Sequence, residues 1–239
     1  MIRLSPRREC PVSISLSDMS FFKRFVKHDV PGSFVNRIRQ RRFAVIRPGI
    51  EQLLALKKNA TILDIGGDID YWRHIGWNNP AVTIHLLNLT HRAMVNAPGF
   101  QQVTGNALDI PYSKGDIDLA FSNSVIEHVG SYENQVKFAE EVKRVCDKYI
   151  IQTPAFWFPL EPHSLIPFFQ FIPHRLRARL IMKFDINYFP RTNNYSEALE
   201  VSHSTLMLTQ KQFRALFPEA EIYVERMFGI PKSYTAIKL

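Results

Sequence analysis

A chain of 239 residues that is 46% hydrophobic suits one domain with a full core, and its two cysteines exclude a disulfide framework or a cysteine-built metal centre. No run approaches the ~20 apolar residues needed to span a bilayer, and the first ten residues lack the apolar stretch of a signal peptide, so a cytoplasmic, reducing location is expected. The net charge of +8 is unevenly placed: residues 1–58 hold 13 Lys/Arg against 4 Asp/Glu, whereas residues 59–239 hold 17 against 18.

Residues 1–32 read as a lead-in with an apolar patch at Phe21, Phe22 and Val26. Ser33 is placed to cap a helix through Arg42. Pro48 suits the first turn of a second helix, with Ile50, Leu53, Leu54 and Leu56 as its buried stripe. The organisation expected is a basic arm and helix over 1–44, then one domain over 45–239. The basic residues Lys23, Arg24, Lys27, Arg37, Arg39, Arg41 and Arg42 form a solvated helical face, or meet an anionic substrate or an anionic membrane surface. No nucleic-acid motif accompanies them, and aromatics are not regularly interleaved, so a nucleic-acid partner is not expected.

Strands are expected at 61–65, 82–87, about 101–104, 117–122 and 148–153, alternating with helical segments. The clearest helix runs from Ser131 to Cys146, burying Phe138, Val142 and Val145, with Glu140 and Arg144 paired on its wet face. This rhythm predicts a parallel sheet covered on both faces. Thr209 caps a further helix ending near Phe217-Pro218, and strands follow at 221–228 and 233–238.

The most informative stretch is Ala60-Thr-Ile-Leu-Asp-Ile-Gly-Gly-Asp-Ile-Asp-Tyr-Trp72. A buried strand ends in Asp64 and opens into Gly66-Gly67, a turn that lets a ligand approach the backbone. Asp68 and Asp70 follow within the turn. Three neighbouring carboxylates would repel a pyrophosphate, which argues against a dinucleotide-dependent dehydrogenase. They suit a ligand with cationic centres, and S-adenosylmethionine has two, an ammonium and a sulfonium.

Four later stretches stand in a fitting order: Thr83-Ile-His-Leu-Leu-Asn-Leu-Thr90, Gly105-Asn-Ala-Leu-Asp-Ile-Pro111, Asp118-Leu-Ala-Phe-Ser-Asn-Ser-Val-Ile-Glu-His-Val129 and Gln152-Thr-Pro-Ala-Phe-Trp-Phe-Pro-Leu-Glu-Pro-His163. Together with the glycine turn, they make residues 45–239 resemble the class I S-adenosylmethionine-dependent methyltransferases, in particular a subgroup of small bacterial members. The resemblance implies an α/β, Rossmann-like fold: a mostly parallel seven-stranded sheet, antiparallel in its last strand, with helices on both faces. Ligands of such sheets bind beyond the carboxyl ends of the strands. The implied cofactor-binding residues are Asp64, Gly66, Gly67, Asp68, Asn88, Asn106, Ala107, Ser122 and Asn123. Asn88 and Asn106 stand where the family usually has acids, Asn106 in the stretch that contacts adenine. Asp70 replaces the usual last glycine of the turn. Glu127-His128 reads as an acid/base pair or, as is commoner in the resembling family, as the residues that orient the loop after the fourth strand.

A substrate-side insertion is expected at about 155–205. It is rich in aromatics (Phe156, Trp157, Phe158, Phe168, Phe169, Phe171) and is stiffened by five prolines between Pro154 and Pro173. A helix follows, with Leu176, Leu180, Ile181 and Phe184 on one face and Arg175, Arg179 and Lys183 on the other. Such a helix packs on its own domain, lies on a membrane or covers a lipid-like substrate. Tyr188–Ser202 is placed to act as a lid. An alcohol acceptor needs a base, and His163, oriented by Glu161, is the candidate catalytic pair; the alternative is a structural corner at Glu161-Pro-His163. No metal is expected. These features point to O-methylation of a small or lipid- or glycan-linked acceptor. N- or C-methylation, or a methyltransferase-like scaffold without catalysis, remain the alternatives.

Overall fold

A computed structural model describes residues 34–55, 57–90 and 97–239; the lead-in patch, Ser33 and Leu56 lie outside these. In chain order the elements are α1 (Phe34–Leu54), β1 (Ala60–Ile65), α2 (Ile69–His74), β2 (Val82–Asn88), β3 (Phe100–Thr104), β4 (Leu119–Asn123), α3 (Tyr132–Val145), β5 (Tyr149–Pro154), α4 (His174–Lys183), α5 (Tyr195–His203), α6 (Gln210–Leu216), β6 (Glu221–Met227) and β7 (Ile230–Lys238). Single 3-10 turns sit at Ile126–His128 and Phe169–Phe171.

The seven strands form one sheet in the order β3-β2-β1-β4-β5-β7-β6. The first five run parallel, and β7 enters antiparallel between β5 and β6. Period-two alternation splits the side chains between two cores. Leu63, Ile65, Ala120 and Ile151 face α3 and α6 with Phe138, Val142, Phe213 and Phe217. Ile62, Ile84, Phe121 and Ile150 face α1 and α2 with Phe43, Ile46, Ile50 and Trp72. Burial on both faces is what apolar parallel strands require. A satellite core of Phe169, Ala178, Ile181, Ile186, Phe189 and Ala198 holds α4 and α5 together in the insertion.

Three local expectations are corrected. The helices expected on either side of residue 44 are one continuous helix, with Pro48 inside it. Proline costs the helix one hydrogen bond, but Phe43, Ile46, Ile50 and Leu54 form an unbroken stripe with no member more than 4% exposed, and packing outweighs the loss. Arg144 pairs with Glu141 rather than Glu140, making two bonds of 2.7 Å to its carboxylate while also donating to the carbonyls of Ile110 and Tyr112. The pair therefore clamps the loop after β3 instead of decorating a wet face. In α4 the buried residues are Ala178 and Ile181, whereas Leu176 and Phe184 are exposed, because the insertion covers the helix from a direction that periodicity alone does not reveal.

The polarity of α1 matters for the site. It leads directly into the start of β1, so it runs antiparallel to that strand, and its Arg39–Arg42 turn lies at the carboxyl edge of the sheet. The β7 start is there too, since Ser233 pairs with Pro154 at the end of β5.

Candidate active site

At the end of β1, Gly66 adopts φ 71° and its N–H donates to the carbonyl of Leu87 at 2.7 Å. This left-handed conformation favours glycine. Gly67 is glycine for a different reason: a Cβ there would lie 2.0 Å from Asp64 Oδ2. The Asp64 carboxyl is buried directly beneath the turn, where the Trp72 indole donates to Oδ2 at 2.7 Å. Burial raises its pKa to about 8, against the opposing Trp72 hydrogen bond and with a further push from the Asp68 charge. At neutral pH the Asp64 carboxyl beneath the turn is therefore held largely protonated. Asp68 caps α2 by accepting from the Asp70 N–H at 2.9 Å, and Asp70 faces Arg73 at 3.4 Å.

Asn88, at the end of β2, donates from Nδ2 to the Gly67 carbonyl at 3.0 Å. Its amide braces the glycine turn, a role for which an acid has no donor. Asn106 is exposed, and its Oδ1 accepts from the Leu108 N–H at 2.9 Å, shaping the turn that carries the half-buried Ala107. Ser122 is fully buried and donates to the Ile65 carbonyl at 3.1 Å, so its hydroxyl ties β4 to β1. Asn123 Oδ1 accepts from Arg42 Nη2 at 2.6 Å. Tyr71 lies against the same arginines; burial raises its pKa to about 12, keeping it a neutral phenol. Thus every expected cofactor residue lies along one edge of the sheet, but several side chains hold the backbone in shape rather than stand open.

The second group lies beyond β4 and β5. Glu127 is fully buried; Thr153 Oγ1 donates to its Oε2 at 3.0 Å, and Oε1 has no hydrogen-bond partner among the described residues. Burial pushes its pKa up. Its carbonyl accepts from the Leu206 N–H at 2.7 Å, which ties the loop after β4 to the segment entering α6. Glu161 is also buried; its Oε1 accepts from His163 Nδ1 at 2.6 Å and from the His163 N–H at 3.0 Å, and its other oxygen accepts from the Ser164 N–H. Burial alone would lower the His163 pKa, but the Glu161 hydrogen bond and the charges of Glu161 and Glu127 outweigh it and raise it. The ring of His163 meets that of His128 edge-on, with centroids 4.7 Å apart. Glu127, His128 and His163 each bring a ligand-type atom to within 4.8 Å of the others. By donor type, one carboxylate and two imidazoles could hold a divalent ion, a grouping the sequence expectation of no metal did not anticipate. The sequence spacing hides it, because residues 128 and 163 are joined only through β4–β5 pairing.

Sequence reasoning also missed Thr153, Tyr71 and Lys232 as neighbours of the site. The arginines were visible as a charge excess, but their direction depended on the polarity of α1.

The residues fit S-adenosylmethionine: the Gly66-Gly67 turn carries no side chain of its own, its two Cβ directions being filled from below by Val125 and Asp64, so its backbone stays open to close approach, and the buried Asp64 carboxyl offers an acceptor beneath it.

Residues 74–149 match the family described as methyltransferase domain, a stretch that contains Asn88, Asn106, Ala107, Ser122, Asn123 and Glu127-His128. No protein of curated function shows significant similarity to the chain. Among solved structures, a Bordetella parapertussis protein described as a possible exported protein superposes with a TM-score of 0.54 at 13% identity, over 90% of this chain and 77% of that one. Human N-acetylserotonin methyltransferase in complex with S-adenosylmethionine gives 0.45 at 13% identity over 85% and 55%. Phosphoethanolamine N-methyltransferase 2 of Haemonchus contortus, also in complex with S-adenosylmethionine, gives 0.49 at 12% over 86% and 42%. The chain spans only about half the length of these two enzymes. Given the 3-2-1-4-5-7-6 sheet, the glycine turn over a buried acid and the methyltransferase-domain match over residues 74–149, the chain is similar in fold and motif order to the class I S-adenosylmethionine-dependent methyltransferases.

Proposed function

We propose that this protein transfers a methyl group from S-adenosylmethionine to a hydroxyl oxygen of a small or lipid- or glycan-linked acceptor, with His163 as the base. S-adenosylmethionine supplies the electrophilic methyl carbon. The observation that carries the reading is the His163–Glu161 pair: a 2.6 Å bond from Nδ1 to a buried carboxylate fixes the ring and leaves Nε2 as the proton acceptor. His163 Nε2 takes the acceptor's hydroxyl proton while the oxygen forms its bond to the methyl carbon and the carbon–sulfur bond breaks. Glu161 stabilises the resulting imidazolium. Alignment and exclusion of water supply most of the remaining acceleration.

The insertion supports an apolar or lipid-linked acceptor. Trp157, Phe168 and Phe171 are 60%, 58% and 42% exposed, and the Phe171 ring lies beside both of the others, at centroid distances of 5.6 Å and 6.3 Å. The basic residues Arg175, Arg179 and Lys183 of α4 are also exposed, as a surface visiting an anionic membrane requires. Among the described residues no helix is long and apolar enough to cross a membrane. The free, buried thiol of Cys146 suits a cytoplasmic location.

The unpartnered Glu127 Oε1 favours a second reading, N-methylation of an amine that this oxygen would accept from. His163→Ala separates the two. Loss of most turnover with retained S-adenosylhomocysteine binding supports the base; unchanged turnover removes His163 from the mechanism and leaves the amine reading. If the folded protein bound no cofactor, the scaffold alternative would stand.

A further inference from the structure

The basic excess of the N-terminal third does not all face solvent. Arg42 is 6% exposed, and the single turn that carries it also brings Arg39 to the carboxyl edge of the sheet, where Arg39 lies over the Tyr71 ring at 5.9 Å. From the opposite end of the chain, the β6–β7 hairpin adds Lys232. Arg42 Nη1 and Lys232 Nζ both approach one oxygen, Glu225 Oε2, at 3.4 Å, and the Ser233 hydroxyl donates to that same oxygen at 2.7 Å. Arg39 is close enough for its charge to be felt by Lys232, as is that of Arg42. Two of these cations, Arg42 and Lys232, thus share the one Glu225 carboxylate, while the half-buried Arg39 lies near Asp68. Of the other acids of the turn, Asp64 is held largely protonated and Asp70 faces Arg73. Burying cations without matching anions is unfavourable by several kcal/mol per ion, so such a cluster is expected where an anion is to be received.

Its place is specific. Arg42 holds Asn123 at the end of β4, beside the glycine turn, and Lys232 precedes the residue paired with the end of β5. The cluster therefore borders the cofactor edge on the side of β4, β5 and β7. Exposed helical arginines on a merely solvated face would not be turned inward against Tyr71, Asn123 and Glu225.

We propose that Arg39, Arg42 and Lys232 form an oxyanion-receiving subsite beside the methyl-transfer site, and that the acceptor carries a phosphate or carboxylate group which docks there. The inference rests on the methyltransferase reading for its location, but its chemistry can be measured without turnover. Guanidinium groups give an oxyanion paired, charge-assisted hydrogen bonds, and Lys232 adds a point charge. A neutral alcohol would leave these cations unused.

The test is calorimetric titration of the full chain with inorganic phosphate, alone and saturated with S-adenosylhomocysteine, in a buffer free of competing oxyanions. Saturable phosphate binding in both states is expected. Arg39→Gln and Lys232→Gln should each weaken it by on the order of tenfold or more, leave S-adenosylhomocysteine affinity within about threefold of the parent, and keep the parent's melting temperature. Arg41→Gln, an exposed neighbour on α1, should change nothing. Absence of saturable binding would overturn the proposal. So would competition between phosphate and S-adenosylhomocysteine together with loss of S-adenosylhomocysteine affinity in both variants, because the cations would then hold the cofactor's own carboxylate. Failure of S-adenosylhomocysteine to bind at all would count against the methyltransferase reading, while the phosphate titration would still decide this one.

Discussion

Gly67→Ala tests the glycine turn most sharply, because the new methyl has nowhere to go. Its Cβ would lie 2.0 Å from Asp64 Oδ2, 2.1 Å from Cγ and 2.7 Å from Oδ1. Gly67 has an ordinary backbone conformation for any residue, so the whole penalty is steric. Relief requires the Asp64 carboxyl to move, and that breaks the 2.7 Å bond from the Trp72 indole. Overpacking costs about 1–3 kcal/mol, and leaving a buried polar group unpaired costs a further ~1–3 kcal/mol. The sum, roughly 2–6 kcal/mol, translates into a melting temperature lower by roughly 4–24 °C for a domain of this size. Gly115→Ala is the control: Gly115 has φ 97° with nothing within 4 Å of the added Cβ, so it reports backbone strain alone, about 1 kcal/mol. Urea and thermal unfolding followed by tryptophan fluorescence would measure both, with Trp72 as a local reporter. If Gly67→Ala melted within a degree or so of the parent, or proved milder than Gly115→Ala, the buried-acid geometry of the turn would be wrong.

The remaining expectations concern the same edge of the sheet. Asp64 holds its proton more tightly in the folded chain, up to a pKa of about 8, than in the unfolded one, near 3.9. Between these values the native state binds more protons, so stability falls as pH rises, and Asp64→Asn should flatten that slope in melting temperatures taken from pH 5 to pH 8; an unchanged slope would mean that Asp64 is not the source. Asn88→Asp would restore the acid usual in the family, yet it replaces the donor to the Gly67 carbonyl with a second acceptor, so a loss of about 1–3 kcal/mol in urea unfolding and weaker S-adenosylhomocysteine binding are predicted; tighter binding would refute the bracing role. With a suitable acceptor, turnover should survive exhaustive treatment with a chelator if His163 is a base. Chelator-sensitive turnover restored by a divalent ion would instead assign Glu127, His128 and His163 to a metal. Trp157→Ser with Phe168→Ser should reduce sedimentation with anionic vesicles while leaving the melting temperature within a few degrees, since both side chains are mostly exposed.

The sheet was legible because its central parallel strands are apolar on both faces: Ile62 and Leu63 are adjacent and both fully buried, on opposite sides of the sheet. Gly66 and Gly67 were equally legible as a tight turn at the end of β1. The charge state of Asp64 was not, since it depends on Trp72 eight residues on, folded back by α2. The roles of Asn88 and Ser122 were hidden for a similar reason: each bonds a backbone atom on the neighbouring strand or its turn. Pro48 misled because a local helix rule gave way to a long-range hydrophobic stripe. The cluster of Arg39, Arg42 and Lys232 could not be read at all from spacing, as it joins the first described helix to the last hairpin.

The central claim is a working S-adenosylmethionine site at the Gly66-Gly67 turn. Its most direct test is calorimetric titration of the folded protein with S-adenosylmethionine and with S-adenosylhomocysteine. Saturable binding of both in the micromolar range, weakened at least about tenfold by Gly67→Ala, is predicted. A folded parent protein that binds neither would contradict the account.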